Sequence, residues 1–319
     1  MRKQWLLLCL VIGIAVASGE GLALAGPSDK IDQGLAPVDQ NWQIGFSPSF
    51  SSVNFGTNTT SSFIYAPISI RRLFRDGDVT LVIPFVTAMT DGQTTLVGGN
   101  AVRVDDGGGS NSGPGGGGGG GGGGAPDDGG CSGKNQPGTS GSTRTCGTTN
   151  RVPGQNVTTS GLGDILLRGR YYVVEEKDWV PLIAITGRLK LPTADASRGL
   201  GTGKMDEGVG TEISKRLGDS WITFLDGGFN VIGRPDGLNL RNQWWYDVGG
   251  GYYFTKDLLG SVYFEEYRSL VSGNQNIRDV YFSMSYRASS SWRFNVGASA
   301  GLSNGAPDYT TSLGASYRF

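Results

Sequence analysis

Charged side chains that could act on a solute recur at alternate positions in the second half of the chain. In DILLRGRYYVV, which begins at Asp164, the residues Arg168 and Arg170 share the parity of the aspartate. Arg188 and Lys190 share one parity in ITGRLKLP. A period of two puts such side chains on one face of a β-strand. A face with acids and bases can guide a polar or charged molecule by its field and hydrogen bonds.

The same parity rule assigns further polar side chains to this face. The apolar residues between them then form the opposite face, where a charge at the membrane midplane would cost about 2–4 kcal/mol. We therefore predict that the charged face lines the interior of a barrel. It either borders a narrow or gated polar passage or pairs into salt bridges that plug the barrel. The remaining predicted pore-lining residues are Glu212, Arg216, Asp226, Asn230, Asp247, Asp279, Arg287, Arg293 and Arg318.

The composition excludes several kinds of chemistry. The chain contains no histidine, which excludes Ser-His and Cys-His nucleophiles, His-ligated zinc and a histidine general base. We expect no enzyme, no catalytic residue, no cofactor and no metal site. The net charge of −1 gives no electrostatic basis for nucleic-acid binding. Cys131 and Cys146 are too far apart for a CxxC metal site, and in an exported chain they are predicted to form a disulfide rather than two free thiols.

Residues 1–25 have the order of a secretory signal peptide. Arg2 and Lys3 precede the apolar run WLLLCLVIGIAV, and Ala23-Leu24-Ala25 offers a small-residue cleavage site. The run is shorter than the ~20 residues of a transmembrane helix. We expect cleavage and export, with residues 26–319 forming one domain.

Period-two alternation continues through the rest of the chain, and sustained helical periodicity is absent from its sequence. Short connections alternate with longer ones, which is typical of outer-membrane barrels. We predict an all-β, transmembrane antiparallel β-barrel of about 12 strands with short periplasmic turns and longer extracellular loops. A soluble β-sandwich is the alternative. The predicted strands begin near Asn41, Phe63, Val79, Gly163, Trp179, Glu207, Trp221, Gln243, Leu259, Arg278, Trp292 and Tyr309.

Aromatic residues gather at the predicted short-turn end. Trp42, Trp179, Trp221 and Trp292 each open a predicted strand there, and Phe319 closes one. Amphipathic rings favour the membrane–water interface, so we predict an aromatic girdle. The strand ending in Phe319 is also the expected contact for the barrel-assembly machinery.

One segment lacks the alternation of apolar and polar residues that is typical of a strand. Residues 105–160 include ten consecutive glycines and hold both cysteines of the predicted disulfide. Glycine loses the most entropy on ordering. Since strands precede and follow this segment, we predict a disordered extracellular loop inserted within one barrel, rather than a linker between domains.

Several motifs resemble a known family. GLGDILLRGRYY (161–172), GRLKLPTADASRGLGTGKMDEG (187–208) and WITFLDGGFNVIG (221–233) are similar to the "MetA-pathway of phenol degradation" family of outer-membrane transporters. Ala194 stands where the family pattern has glycine after Pro-Thr. The resemblance implies an outer-membrane channel for small molecules, including hydrophobic or aromatic compounds, and it carries no catalytic residues.

We expect the chain in the bacterial outer membrane, with the lipid bilayer as its partner. Two functions are compatible with this location. The first is a channel or transporter for a small solute that the sequence does not identify. The second is a non-conducting structural or adhesion barrel that displays the glycine-rich loop. A barrel enzyme is disfavoured because outer-membrane phospholipases and omptin-like proteases depend on histidine.

Overall fold

Alternation of apolar and polar residues produces antiparallel strands along most of the chain. A computed structural model describes residues 40–90, 94–97, 100–103, 157–236 and 238–319. Among these residues, no helix has the length and apolar character needed to cross a membrane. The strands are β1 (Trp42–Phe46), β2 (Ser49–Val53), β3 (Ser61–Phe74), β4 (Gly77–Thr90), β5 (Thr94–Val97), β6 (Asn100–Arg103), β7 (Val157–Leu162), β8 (Ile165–Val174), β9 (Leu182–Leu191), β10 (Asp206–Leu217), β11 (Trp221–Val231), β12 (Gln243–Thr255), β13 (Leu258–Tyr267), β14 (Ile277–Arg287), β15 (Trp292–Gly301) and β16 (Tyr309–Arg318).

The main sheet closes on itself. β1 and β2 pair with β16 on one side and with β3 on the other. These two short strands keep one register, since Ile44 opposes Tyr317 and Phe50 opposes Thr311. Together they occupy one strand position of the barrel, here called a stave. This stave is interrupted at Pro48, which has no N–H to donate to the ladder. Closure leaves no open edge, as a membrane-spanning sheet requires.

A β-bulge joins β7 to β8. Phe85 of β4 opposes Leu162, whereas Val82 opposes Leu166, so the register shifts by one residue between the two strands. Gly163 and Asp164 lie at this shift, and both are buried. Counting β1–β2 and β7–β8 as single staves gives a closed barrel of 12 strands, which confirms the predicted fold class.

Two strand boundaries differ from the sequence prediction. β7 begins at Val157 and pairs with β4 through Thr90, so the strand starts before Gly163 and includes the last residues of the predicted 105–160 insert. β9 begins at Leu182, and Trp179 lies in the preceding turn with 93% of its surface exposed. Trp179 therefore does not open a strand. The rest of the glycine-rich insert, from 105 to 156, lies outside the described residues, as does the predicted signal peptide.

The inside of the barrel is not uniformly polar. Ile222, Phe224, Leu259 and Tyr263 form a buried apolar cluster. These residues belong to the inward-facing series of β11 and β13, near the ends joined by short turns. Side chains of the opposite parity are the exposed apolar ones, as a lipid-facing surface requires.

Exposed aromatic side chains lie at the short-turn end of the barrel. Trp42, Trp221, Trp292 and Phe319 are all substantially exposed on its outer surface. Trp292 packs on Tyr317 with ring centroids 5.0 Å apart. This placement is consistent with anchoring at a membrane interface.

Trp221 and Trp179 provide a matched test of this girdle. Trp221 makes an edge-to-face contact with Tyr252 at 4.9 Å, a geometry worth about 0.5–1.5 kcal/mol beyond the area it buries. We expect Trp221→Ala to lower the free energy of unfolding in lipid vesicles by at least that amount. Trp179→Ala, in the exposed turn, should change it by less than about 0.5 kcal/mol. Equal losses for the two variants in urea titrations would contradict the assignment.

Candidate functional site

The barrel encloses a cavity of about 300 Å³, here called the lumen cavity. Its lining comes from nearly every stave, and the inward parity of the strands supplies it. Eight of the residues predicted to line a pore do border this cavity: Arg168, Arg170, Arg188, Glu212, Asp226, Asn230, Asp247 and Asp279.

Basic side chains occupy one side of the lumen cavity. Arg168 of β8 lies directly opposite Arg188 of β9 in the strand register. Arg71 of β3 and Arg170 of β8 border the same region. These four residues are the arginine sector. Arg71 was not among the predicted lining residues, because β3 contains Pro67 and its alternation is less regular.

Carboxylates compensate part of the arginine sector. Arg71 Nη2 lies 2.7 Å from Asp78 Oδ2, and Arg170 Nη1 lies 3.6 Å from the same oxygen. Arg170 Nε also lies 3.0 Å from Glu212 Oε2. All four side chains are buried. Removing one member of such a network would leave an uncompensated buried charge, so the network fixes this wall of the barrel.

Acidic side chains form a row on the other side. In the strand register Asp226 of β11 opposes Asp247 of β12, which opposes Glu265 of β13, which opposes Asp279 of β14. All four line the lumen cavity, and together they are the carboxylate row. No group of three or more acidic side chains among the described residues converges closely enough to hold a metal ion.

Glu265 is a lining residue that the sequence prediction missed. It is followed by Glu266, and two adjacent acids cannot both face the lumen. Glu266 points outward at the long-loop end, where it accepts hydrogen bonds from Tyr246, Asn276 and Arg278 at 2.8–3.0 Å. The parity of Ser261 and Tyr263 on the same strand could have assigned Glu265 to the interior.

Aromatic side chains also border the carboxylate row. The indole of Trp245, on β12, packs against the backbone of the neighbouring strand at Gly228. A side chain at Gly228 would clash with it, because a Cβ there would lie 2.8 Å from Trp245 Nε1. A Cβ at Gly210 would meet Trp245 Cζ2 at 3.0 Å. These two glycines therefore let the indole lie flat against the neighbouring strands. Tyr267 stacks on Trp245 with centroids 6.2 Å apart.

Small side chains line the remaining wall. They come from β14, β15, β16 and the β1–β2 stave, and they leave the space that the larger residues of the other strands do not fill. Their small size keeps this side of the cavity open and polar. They include Gly45, Ser47, Ser283, Ser285, Ser299, Ser312, Gly314 and Ser316.

Asp164 and Lys190 do not border the lumen cavity, contrary to the sequence prediction. Lys190 Nζ is fully buried, 3.2 Å from Asp164 Oδ2 and 2.8 Å from Asp206 Oδ2. It also donates to Thr202 Oγ1 at 3.0 Å. These four residues are the lysine node. Lys190 has inward parity on β9, but it lies at the long-loop end, where the loop 192–205 folds back onto the node.

The lysine node explains part of the two family-like segments, GLGD (161–164) and KLPT (190–193). Asp164 Oδ1 accepts a hydrogen bond from the Ala194 N–H at 3.0 Å. Thr193 Oγ1 accepts from the Ile165 N–H at 2.9 Å and donates to the Gly163 carbonyl at 3.0 Å, which holds the bulge in place. The motif residues therefore anchor a loop rather than contact a solute.

An apolar cluster lies beside the node at the long-loop end. Leu96 of the β5–β6 hairpin packs with residues of the loop 192–205 and of the barrel strands, and its N–H donates to the Gly199 carbonyl at 3.3 Å. This group is called the extracellular cap. Its buried members are Val53, Phe63, Val86, Ala88, Leu96, Ala194 and Leu200.

The other predicted lining residues lie outside the lumen cavity. Arg216 lies near the ring of Tyr253, 5.9 Å from its centroid. Arg287 pairs with Asp257 of a short turn at 3.2 Å. Arg318 Nε donates to the Gln40 carbonyl at 2.7 Å. Arg293, which opposes Arg287 on β14, is buried in the same region. These side chains belong to the inward-facing series of their strands. They lie near the short-turn end of the barrel axis, away from the lumen cavity.

The pKa values of Asp195 and Arg241, in two of the connecting loops, are lowered by their surroundings. Hydrogen bonds from the Ser197 hydroxyl, at 2.6 Å, and from its N–H lower the pKa of Asp195, which caps a 3₁₀ helix over Ala196–Arg198. Burial and the nearby Arg268 lower the pKa of Arg241, whose guanidinium donates to the Ser269 and Val271 carbonyls. Both groups order loops at the long-loop end. Cys131 and Cys146 fall outside the described residues.

Residues 82–319 match the protein family described as "Putative MetA-pathway of phenol degradation". The chain belongs to this family. The family match extends from β4 to the end of β16 and includes the lysine node, the carboxylate row and most of the arginine sector. The resemblance drawn from the sequence motifs is therefore confirmed. A search of curated protein sequences finds no match.

The barrel is similar to the crystal structure of the COG4313 outer membrane channel from Pseudomonas putida F1. The TM-score is 0.53 at 12% sequence identity, and the alignment covers 89% of this chain and 97% of that chain. This likeness shows the fold of an outer-membrane β-barrel, which lies in a lipid bilayer.

Two weaker similarities are to the KdgM porin in complex with disordered oligogalacturonate and to the P. putida toluene transporter TodX. The KdgM match has a TM-score of 0.43 at 9% identity and covers 87% of this chain and 99% of that chain. The TodX match has a TM-score of 0.43 at 9% identity and covers 92% of this chain and 93% of that chain.

Proposed function

We propose that this protein is an outer-membrane channel that passes small molecules, including apolar or aromatic compounds, through a narrow charged lumen. The lumen cavity carries this proposal. Its volume of about 300 Å³ is at the lower end of the ~300–1,000 Å³ typical of ligand sites. The space therefore suits one small molecule at a time. The family description makes aromatic compounds the first class of solute to test.

Several features accompany this function in the proposal. Export requires cleavage of the signal peptide at residues 1–25, and insertion uses the barrel-assembly machinery through the strand that ends in Phe319. The 105–160 insert then lies outside the cell, with a disulfide between Cys131 and Cys146. The polar face of the lumen biases passage by its field and hydrogen bonds.

Planar-bilayer recording of the refolded protein tests the channel. We expect unitary current steps from the full mature chain and from a form lacking residues 105–156, which leaves β7 intact. Absence of steps from both forms, with correctly folded barrel in the membrane, would exclude an open pore. Recording with and without reductant would show whether a disulfide affects gating.

A non-conducting structural or adhesion barrel is the second candidate. The extracellular cap favours it, because an apolar cluster that packs across loops and strands at the mouth restricts entry. In that case deletion of residues 105–156 would abolish attachment of cells to a surface, while neither form of the protein would conduct.

A further inference from the structure

We propose that the lumen cavity binds small organic cations, held by the carboxylate row and by the aromatic side chains between β11 and β14. The inference rests on the proposed channel function and names a class of solute for its lumen. The ligand would carry an ammonium group on a small apolar body.

The carboxylate row is extended along the wall rather than gathered at one point. Asp226, Asp247, Glu265 and Asp279 lie on four successive strands. Neighbouring strands are about 4.8 Å apart, so the row extends over roughly 14 Å of the wall. Because no three acidic side chains among the described residues converge on one point, the row suits an organic cation better than a compact metal ion.

A buried carboxylate oxygen in this region lacks a hydrogen-bond donor. Asp279 is 5% exposed, and its Oδ1 has no hydrogen-bond donor among the described residues. The nearby Tyr263 is 6% exposed and interacts with Ser261. Both residues line the lumen cavity. Unsatisfied buried polar groups are costly, and an ammonium N–H at this point would supply the missing donor.

Two arginines of the arginine sector form ion pairs with carboxylates outside the carboxylate row. Arg170 already contacts Asp78 and Glu212, and Arg71 contacts Asp78. Both arginines belong to the opposite side of the lumen, on β8 and β3. On β13 and β14 the charged side chains that line the cavity are Glu265 and Asp279, and carboxylates attract cations and repel anions.

Aromatic rings supply the second half of the site. Trp245, Tyr263 and Tyr281 line the lumen cavity. Tyr263 and Tyr281 contact each other with centroids 6.2 Å apart, and Tyr267 backs Trp245 at the same distance. Aromatic faces attract ammonium groups, most strongly where water is excluded. Carboxylates and rings together would recognise a cation that has an apolar body.

Three probes with the same ring separate charge from size: benzylamine, which is an ammonium ion at neutral pH, benzyl alcohol and benzoate. Binding to the full mature chain in nanodiscs is measured by saturation-transfer NMR, with empty nanodiscs as the blank. We expect benzylamine to bind at least about tenfold more tightly than either other probe, a difference of about 1.4 kcal/mol. Equal or tighter binding of benzyl alcohol or benzoate would overturn the inference.

Conservative substitutions locate the site. Glu265→Gln and Asp279→Asn keep the shape of each side chain, and we expect each to weaken benzylamine binding about tenfold, since hydrogen bonds to charged groups contribute that much. Glu175→Gln, in an exposed turn, is the control and should leave binding unchanged. Unchanged binding in both lumen variants would overturn the inference.

The experiments test the channel function and the cation site independently of each other. Binding needs no current, so selective binding of benzylamine without unitary current would overturn the channel and support the site. Unitary current without selective binding would overturn the site alone. The heat-modifiable mobility of each variant in gel electrophoresis confirms that it is folded.

Discussion

Replacing Lys190 with methionine is expected to lower the free energy of unfolding by about 3–5 kcal/mol, the cost of removing one partner from a buried ionic group. Lys190 is fully buried between Asp164 and Asp206. Methionine has a similar length but no charge, so both carboxylates would remain buried without their cation. Urea titration of the refolded barrel in lipid vesicles measures the loss.

The lysine node also controls a loop, so a second measurement applies. Asp164 binds the Ala194 N–H, and Asp206 accepts from the Gly233 N–H at 2.8 Å. We expect Lys190→Met to expose the loop 192–205 to protease. Lys204→Met, in the same loop but exposed, should change stability by less than about 0.5 kcal/mol. Equal stabilities for the two variants would show that the node does not anchor the loop.

Tryptophan in place of Ser283 is expected to remove most solute flux. Ser283 lines the lumen cavity and lies between Ser261 and Gly297 in the register. The small side chains of this wall leave the open space, so an indole there would occupy it. Liposome swelling with small sugars and amino acids measures the flux.

Phe282→Trp is the matched control because the same residue is introduced one position away, on the lipid-facing side. Phe282 is exposed on the outer surface, where an aromatic side chain is tolerated. We expect swelling rates equal to those of the wild type. Equal rates for Ser283→Trp and the wild type would mean that solutes do not pass this point.

Much of the barrel could be predicted from the sequence because the alternation of residues within one strand distinguishes its two faces. In DILLRGRYYVV, Leu167 and Tyr171 are apolar and exposed, so Arg168 and Arg170 must face the interior. Period-two alternation carries this information without knowledge of the neighbouring strands. The same argument placed the staves and the count of about 12 strands.

What the sequence did not predict depends on contacts between distant segments. Glu266 can face outward because Tyr246, Asn276 and Arg278 surround it, and these residues belong to neighbouring strands and loops. Lys190 has inward parity, yet its height in the barrel and the return of the loop 192–205 decide that it anchors a loop. Strand register and loop packing are tertiary properties that one strand does not report.

Charge segregation is the most informative of these tertiary results. The arginines and the carboxylates are interleaved along the chain, so the sequence allowed both an open polar path and a lumen plugged by salt bridges. In the structure Arg168 and Arg188 are cross-strand neighbours, and the carboxylate row lies on β11–β14. The arginine sector and the carboxylate row thus lie on different staves around one cavity, and Glu212 connects them because it contacts Arg170 and opposes Asp226. The proposed channel requires that this cavity stays open.

Cysteine accessibility tests the central claim, that the lumen is the path of solutes, most directly. A positively charged methanethiosulfonate reagent is added to single channels of Ser283→Cys in a planar bilayer, with wild-type protein as the control for Cys131 and Cys146. We predict stepwise loss of unitary current in the variant and none in the wild type. Unchanged current after mass spectrometry has confirmed modification of the introduced cysteine would contradict the account.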